Sequence, residues 1–275
     1  MDQICQGLSK YEVQQYHDNG WIGPLSLISE SEMAEFRNRL DIEIFQPAFE
    51  SKTDEKDFCH NRHLDNLIVY ELLTHPNFVK KSESILGPDI VLWRSNFQLK
   101  LPLIQQDEWD TGVPWHQDCA YYQPSPNVIL SAWIAIDRAD RSNGCMKILS
   151  GSHKKLYPHI QTDGLKMFEK TADINTFEPN DATFIELNPG EFIFFSESTL
   201  HSSLPNQSET RRLGISPRLT VPFVNFGGSL SNRALMLAGK DYMVNFLIPC
   251  LPQPNELIFI LIICQFSCPI SSIRI

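Results

Sequence analysis

The sequence predicts a mainly β fold: a double-stranded β-helix, or cupin-like jelly roll, under an N-terminal helical layer. Three observations predict it. Up to Pro88 the apolar residues recur at helical spacing. From Ile90 onward they fall into short β-branched and aromatic runs bounded by Gly, Pro, Asn and Asp. Those runs follow one another without helices between them, which favours antiparallel packing over a βαβ sheet.

Within the helical flank, about 1–88, Ser9 and Glu12 form a capping-box pattern that opens a short helix through Tyr16, stopped at Asn19-Gly20. Ser29 or Ser31 starts a second helix with Met33, Phe36, Leu40 and Ile44 on one face. Leu64–Leu73 and Phe78–Leu86 predict two more, separated at Pro76 and ended by Gly87-Pro88. In the core, about 89–246, Ile90–Lys100, Val128–Ile136, Cys145–Leu149, Glu191–Ser196 and Arg212–Val221 read as strands. Gly151 to Pro189 is polar and weakly patterned, and is expected to form a long insertion loop with at most one helix. One domain is expected over residues 1–275, with an atypical tail at 247–275.

Composition narrows the function. With 42% hydrophobic and 20% charged residues among 275, the chain is an ordinary globular one rather than a disordered one. A formal charge of −10 and no basic stripe argue against nucleic acid, whose phosphates need Lys and Arg. The 7 cysteines are scattered without a C-x-x-C pair, so neither a disulfide framework nor zinc-finger spacing is present. The opening MDQICQGLSKYE lacks the basic and apolar regions of a signal peptide, and a reducing cytoplasm is the expected compartment. The apolar run Leu257–Cys264 is far short of the ~20 residues of a membrane span, so no membrane association is expected.

The chemistry-bearing feature is Val113-Pro114-Trp115-His116-Gln117-Asp118. In extended backbone, residues i and i+2 point to one side, so His116 and Asp118 can converge on one metal. A distant third ligand would complete a two-His-one-carboxylate face, which suits non-haem Fe(II) with open positions. His201, just after the apolar strand EFIFFS, has the best context for it. Alone, an H-x-D pair also fits a hydrogen-bonded loop histidine and a turn aspartate. A second cluster, His60 and His63, lacks a matching pair downstream at zinc spacing. Arg212 would share a strand face with Gly214 and Ser216, and a chain returning tightly after His201 would place it beside that histidine. If inward, its planar fork suits a dicarboxylic acid. One of the adjacent Arg211 and Arg212 must face out, and the pair does not say which.

Four segments, VPWHQDCAYY, SAWIAIDRADRSNGCMKILSGSHK, NPGEFIFFSESTLHSSLPN and RRLGIS, occur in the order seen in the phytanoyl-CoA dioxygenase-like family. The chain resembles that family from about Tyr11 to Phe246. The family consists of Fe(II)- and 2-oxoglutarate-dependent oxygenases on a jelly-roll core. The resemblance implies that His116, Asp118 and His201 are the iron ligands. It likewise implies that Arg212 binds the distal carboxylate of 2-oxoglutarate, and that Asn96, Trp133 and Ser203 line the co-substrate pocket. O2 would be consumed, with release of succinate and CO2 and oxidation of a C–H bond. An aspartate at 118, where related halogenases carry a small residue, favours hydroxylation, desaturation or cyclisation.

Substrate would be a small molecule, met by the helical flank, the Asn96–Lys100 strand and Cys119–Gln123 with Tyr121 and Tyr122. Tailoring of a secondary metabolite or an amino-acid-like compound is favoured. The alternatives are an acyl-CoA hydroxylase, a jelly-roll metalloprotein that does not use 2-oxoglutarate, and a binding protein that kept the fold and lost turnover. Arg62 and His63 match the family only loosely, and oligomeric state is not legible.

Overall fold

A computed structural model of the chain describes residues 6–105, 112–122, 124–162, 169–226 and 234–241. The helices come first: α1 (Lys10–Asn19), α2 (Glu30–Leu40), α3 (Gln46–Ser51), α4 (Glu55–Cys59), α5 (Leu67–Leu73) and α6 (Pro76–Leu86). Ser9 and Ser29 each close a full capping box, with Glu12 and Glu32 respectively. Gly20 ends α1 in the left-handed conformation, φ 79°, which only glycine adopts without strain.

The strands are β1 (Trp21–Ser26), β2 (Ile90–Lys100), β3 (Val113–His116), β4 (Leu130–Ala135), β5 (Met146–Ile148), β6 (His159–Gln161), β7 (Lys170–Ala172), β8 (Thr183–Ile185), β9 (Glu191–Ser196), β10 (His201–Ser203), β11 (Arg212–Thr220) and β12 (Leu235–Ala238). They form a six-stranded sheet, β1-β9-β4-β11-β2-β12, and a four-stranded sheet, β3-β10-β5-β8. Every pairing is antiparallel. This is the predicted jelly roll under a helical layer.

Alternation along the large sheet sorts its two faces. Phe192 and Phe194 of β9, Ala132 and Ile134 of β4, and Leu213 and Ile215 of β11 pack outward against Met33, Leu40, Leu72 and Phe78 of the helices. Ile193, Phe195, Trp133 and Ala135 turn inward and meet Met146, Ile148 and Ile185 of the small sheet. The helical layer therefore seals one face, and the chamber between the sheets is where polar side chains collect.

Three sequence expectations are corrected. The flank is not purely helical: β1 adds an edge strand to the large sheet, its run WIGPLS hidden by Gly23-Pro24 and by a register shift against β9. The 151–189 region is no plain loop, since it holds the β6–β7 hairpin and β8, each three residues long and too short for a periodic signal. β10 and β11 are not neighbours: β10 pairs with β3 and β5, and β11 with β2 and β4. The crossing is pinned by buried Asn206, whose Nδ2 donates to the carbonyls of Leu101 (3.0 Å) and Thr210 (2.7 Å). The tail at 247–275 lies outside the described residues.

Candidate metal centre

Three ligand-type side chains meet inside the chamber. His116 ends β3, Asp118 follows after one extended residue, and His201 opens β10 directly opposite His116 in register. All three are buried, and their ligand atoms lie within 4.8 Å of one another. Pro114 is tolerated because β3 is an edge strand, where a missing N–H breaks no ladder bond. Extended backbone at Gln117, φ −109° and ψ 130°, keeps His116 and Asp118 on the same side as the spacing predicts.

The imidazoles are oriented by backbone. His116 Nδ1 donates to Pro114 O (2.9 Å), and His201 Nδ1 donates to Thr199 O (2.9 Å). With a carbonyl at each Nδ1, each imidazole turns its Nε2 toward the shared site, where His116 Nε2 lies 3.6 Å from Asp118 Oδ1. Burial, reinforced by His116, pushes the His201 imidazole down to about 3, so its neutral, ligating form prevails at any physiological pH. At Asp118 burial acts to raise the carboxyl. The Arg218 guanidinium, with His116 and His201, overcomes that and holds it well below the usual carboxylate range.

Gln117, between the ligands, was missed by sequence reasoning. It is buried with both ends of its amide bonded: Nε2 donates to Ser198 O (2.6 Å) and Lys155 O (2.8 Å), and Oε1 accepts from Tyr157 N (2.9 Å). It ties the ligand segment to the turn before His201. Tyr121 stands edge-on to His116 at 5.8 Å between ring centres.

The chamber's far end is built on β11. Arg212 faces in and is buried, while Arg211 faces out to Asp41 (2.5 Å) and Asp137 (2.9 Å) near the helical layer. Arg212 Nη1 and Nη2 donate to Gly144 O (3.0 Å) and Gln98 O (3.2 Å), and its guanidinium lies 5.1 Å from the Trp133 ring centre. Lys100 stands opposite Arg212 in register, on the same face, and gives that end two cations. Asn96 is buried on this face, with its amide placed to donate to Ser95 O (2.8 Å) and accept from Arg94 Nε (3.2 Å). Ser203 is buried two residues after His201. By contrast, His63 is taken up by Ser95 Oγ (2.7 Å), behind β2, and is not part of this cluster.

Gly214 is a further residue the sequence did not single out. A Cβ built there collides with the Trp133 indole. Gly214→Ala is expected to destabilise the protein by about 1–3 kcal/mol, the usual penalty for overpacking, and to shift Trp133 from under Arg212. Urea unfolding checks it, and wild-type stability in the variant would contradict it.

Glu197 is also buried here, and burial pushes its carboxyl up to about 7 from 4.5. Between those values the unfolded chain binds fewer protons than the folded one, so this group's contribution to stability falls as pH rises and levels off above about 7. Glu197→Gln removes that loss. The variant is expected to gain up to about 3 kcal/mol relative to wild type between about pH 5 and about pH 8. An identical difference at both pH values would contradict the assignment.

The family model described as phytanoyl-CoA dioxygenase matches residues 16–214. The chain belongs to the phytanoyl-CoA dioxygenase family. Peroxisomal phytanoyl-CoA dioxygenase of Bos taurus is 26% identical over 234 residues, 73% of this chain and 65% of the relative. The chain thus spans just under two thirds of that relative's length. Among solved structures, the apo non-haem monooxygenase ThoJ superposes with a TM-score of 0.73 at 20% identity, covering 88% of each chain. CytC3 with Fe(II) and alpha-ketoglutarate superposes at 0.64 and 22% identity, over 88% of this chain and 93% of CytC3. The fold of the chain is therefore shared with these two proteins. No helix among the described residues is long and apolar enough to cross a membrane.

Proposed function

We propose that this family member is a non-haem Fe(II)- and 2-oxoglutarate-dependent dioxygenase that oxidises a C–H bond of a small molecule. The carrying observation is the co-placement, in one chamber, of the His116–Asp118–His201 set and an inward Arg212 seated on Trp133. Two imidazoles and a carboxylate form a donor set that fits Fe(II). Fe(II) and 2-oxoglutarate, when bound, supply the oxidation of substrate by O2, with release of succinate and CO2.

The chain's own residues do the rest. His116, Asp118 and His201 would hold the metal, with Pro114 O and Thr199 O fixing the imidazoles. Arg212 would grip the distal carboxylate of 2-oxoglutarate with its planar fork, and Trp133 packs against the guanidinium. Asn96 and Ser203 line the co-substrate pocket, and the sealed outer face of the large sheet excludes water. We place the enzyme in the cytoplasm, in the tailoring of a secondary metabolite, as one oxygenase domain.

The test is Fe(II)-dependent conversion of 2-oxoglutarate to succinate and CO2 by the purified protein, with O2 uptake in step. Conversion that needs both Fe(II) and O2 supports the reading. Metal binding without any conversion, across a panel of small-molecule substrates, goes against it.

A further inference from the structure

β11 carries a second inward arginine. Arg218 shares the face of Arg212 and Gly214, six residues on and roughly 20 Å along the strand at ~3.3 Å per residue. Pairing of β11 with β4 lapses at Ser216-Pro217 and resumes at Arg218↔Ser131 in unchanged register, which returns Arg218 to the chamber. There it forks onto Asp118: Nε to Oδ2 at 3.2 Å, Nη2 to Oδ1 at 3.1 Å and to Oδ2 at 3.0 Å.

Arg218 Nη1 is buried with no hydrogen-bond partner among the described residues. The buried Tyr122 hydroxyl lies against the guanidinium and interacts with it, with no aligned hydrogen-bond acceptor among the described residues. A third such group, Trp93 Nε1, belongs to the same cluster: the Trp93 and Tyr122 rings meet edge-on at 5.3 Å, and Phe226 stacks on Trp93 at 4.6 Å. Two of these three groups can only donate. A buried donor without an acceptor is destabilising, and donors gathered in this way call for a group rich in acceptors.

We propose that Arg218, Tyr122 and Trp93 form a subsite for an oxyanion head, a carboxylate or a phosphorus oxyanion, of the substrate. The subsite lies beside Asp118, one carboxylate away from the iron. It is distinct from the Arg212 end, where 2-oxoglutarate is held, and Phe226 offers an apolar wall to whatever follows the head. The inference rests on reading His116, Asp118 and His201 as the iron set, and it narrows the substrate class to small anions or anion-headed molecules.

The experiment is anaerobic calorimetric titration of the Fe(II)- and 2-oxoglutarate-loaded protein with methylphosphonate, with butyrate, and with butan-1-ol as the neutral control. The visible charge-transfer absorption of the loaded protein is followed in parallel. Saturable binding of one or both anions, without loss of 2-oxoglutarate and without butanol binding, is expected. Preference between the two anions tells which head the subsite takes. Tyr122→Phe, which leaves Asp118 and its fork intact, is expected to weaken anion binding about tenfold. Arg218→Met is expected to weaken it more than ~100-fold. Three results overturn the inference: no anion binding to the loaded protein, anions that merely compete with 2-oxoglutarate, or binding indifferent to Tyr122→Phe. If the charge-transfer absorption never forms, the iron reading is what fails. Titration of the metal-free protein and its Tyr122→Phe variant then decides the subsite by the same criteria.

Discussion

Asp118→Ala is expected to abolish 2-oxoglutarate turnover and to weaken Fe(II) binding by more than ~100-fold, beyond what removal of an outer-shell partner produces. The size follows from what the carboxylate does. In the proposed set it is the one side chain able to bring negative charge to a divalent cation, and it is buried beside the two imidazoles. The variant also strands Arg218, whose fork has no other carboxylate within reach among the described ion pairs. An uncompensated buried cation is costly, so some stability should be lost as well. Two measurements separate the effects. Calorimetric Fe(II) titration reads the ligand role, and urea unfolding of the metal-free protein reads the ion pair. Wild-type metal affinity in a folded Asp118→Ala protein would remove Asp118 from the ligand set.

Arg212→Ala is expected to raise the 2-oxoglutarate requirement steeply and leave Fe(II) binding intact. Truncating one partner of a buried, hydrogen-bonded charge pair costs about 2–5 kcal/mol, or roughly 30- to 4,000-fold in affinity. Arg212 is prepared for this role. It is held by two backbone carbonyls and by the Trp133 face, so little ordering remains to be done when a carboxylate arrives. Arg212→Lys keeps the charge but loses the planar fork, and should recover only part of the affinity. Steady-state KM for 2-oxoglutarate in the three proteins checks the order. An unchanged KM in Arg212→Ala would move the anchor elsewhere, with Lys100 the neighbour to examine.

What was legible in the sequence follows from the range of the forces involved. Capping boxes at Ser9 and Ser29 are written in four residues each, and both form. The H-x-D geometry was legible because extended backbone has a period of two, and Gln117 is extended. Long strands such as Ile90–Lys100 announce themselves, whereas three-residue strands such as β6, β7 and β8 hold too few residues to show a pattern.

Long-range pairings were not legible. That Arg211 and not Arg212 faces the helical side depends on Asp41, which lies 170 residues away in sequence. The sheet to which β10 belongs depends on Asn206 and on strands far up the chain. Arg218 could have been placed on the inner face by parity with Arg212, but nothing local names Asp118 as its partner. Gly214 is similar: its need for a missing Cβ is visible only once Trp133 lies across it.

The most direct measurement is anaerobic titration of the protein with Fe(II) and then 2-oxoglutarate, followed by visible absorption. A weak metal-to-ligand charge-transfer band that grows with 2-oxoglutarate, and is lost in His201→Ala and Arg212→Ala, is the predicted result. Metal binding with no such band would contradict the assignment of Arg212 and the co-substrate, and would leave a jelly-roll metalloprotein that works without 2-oxoglutarate.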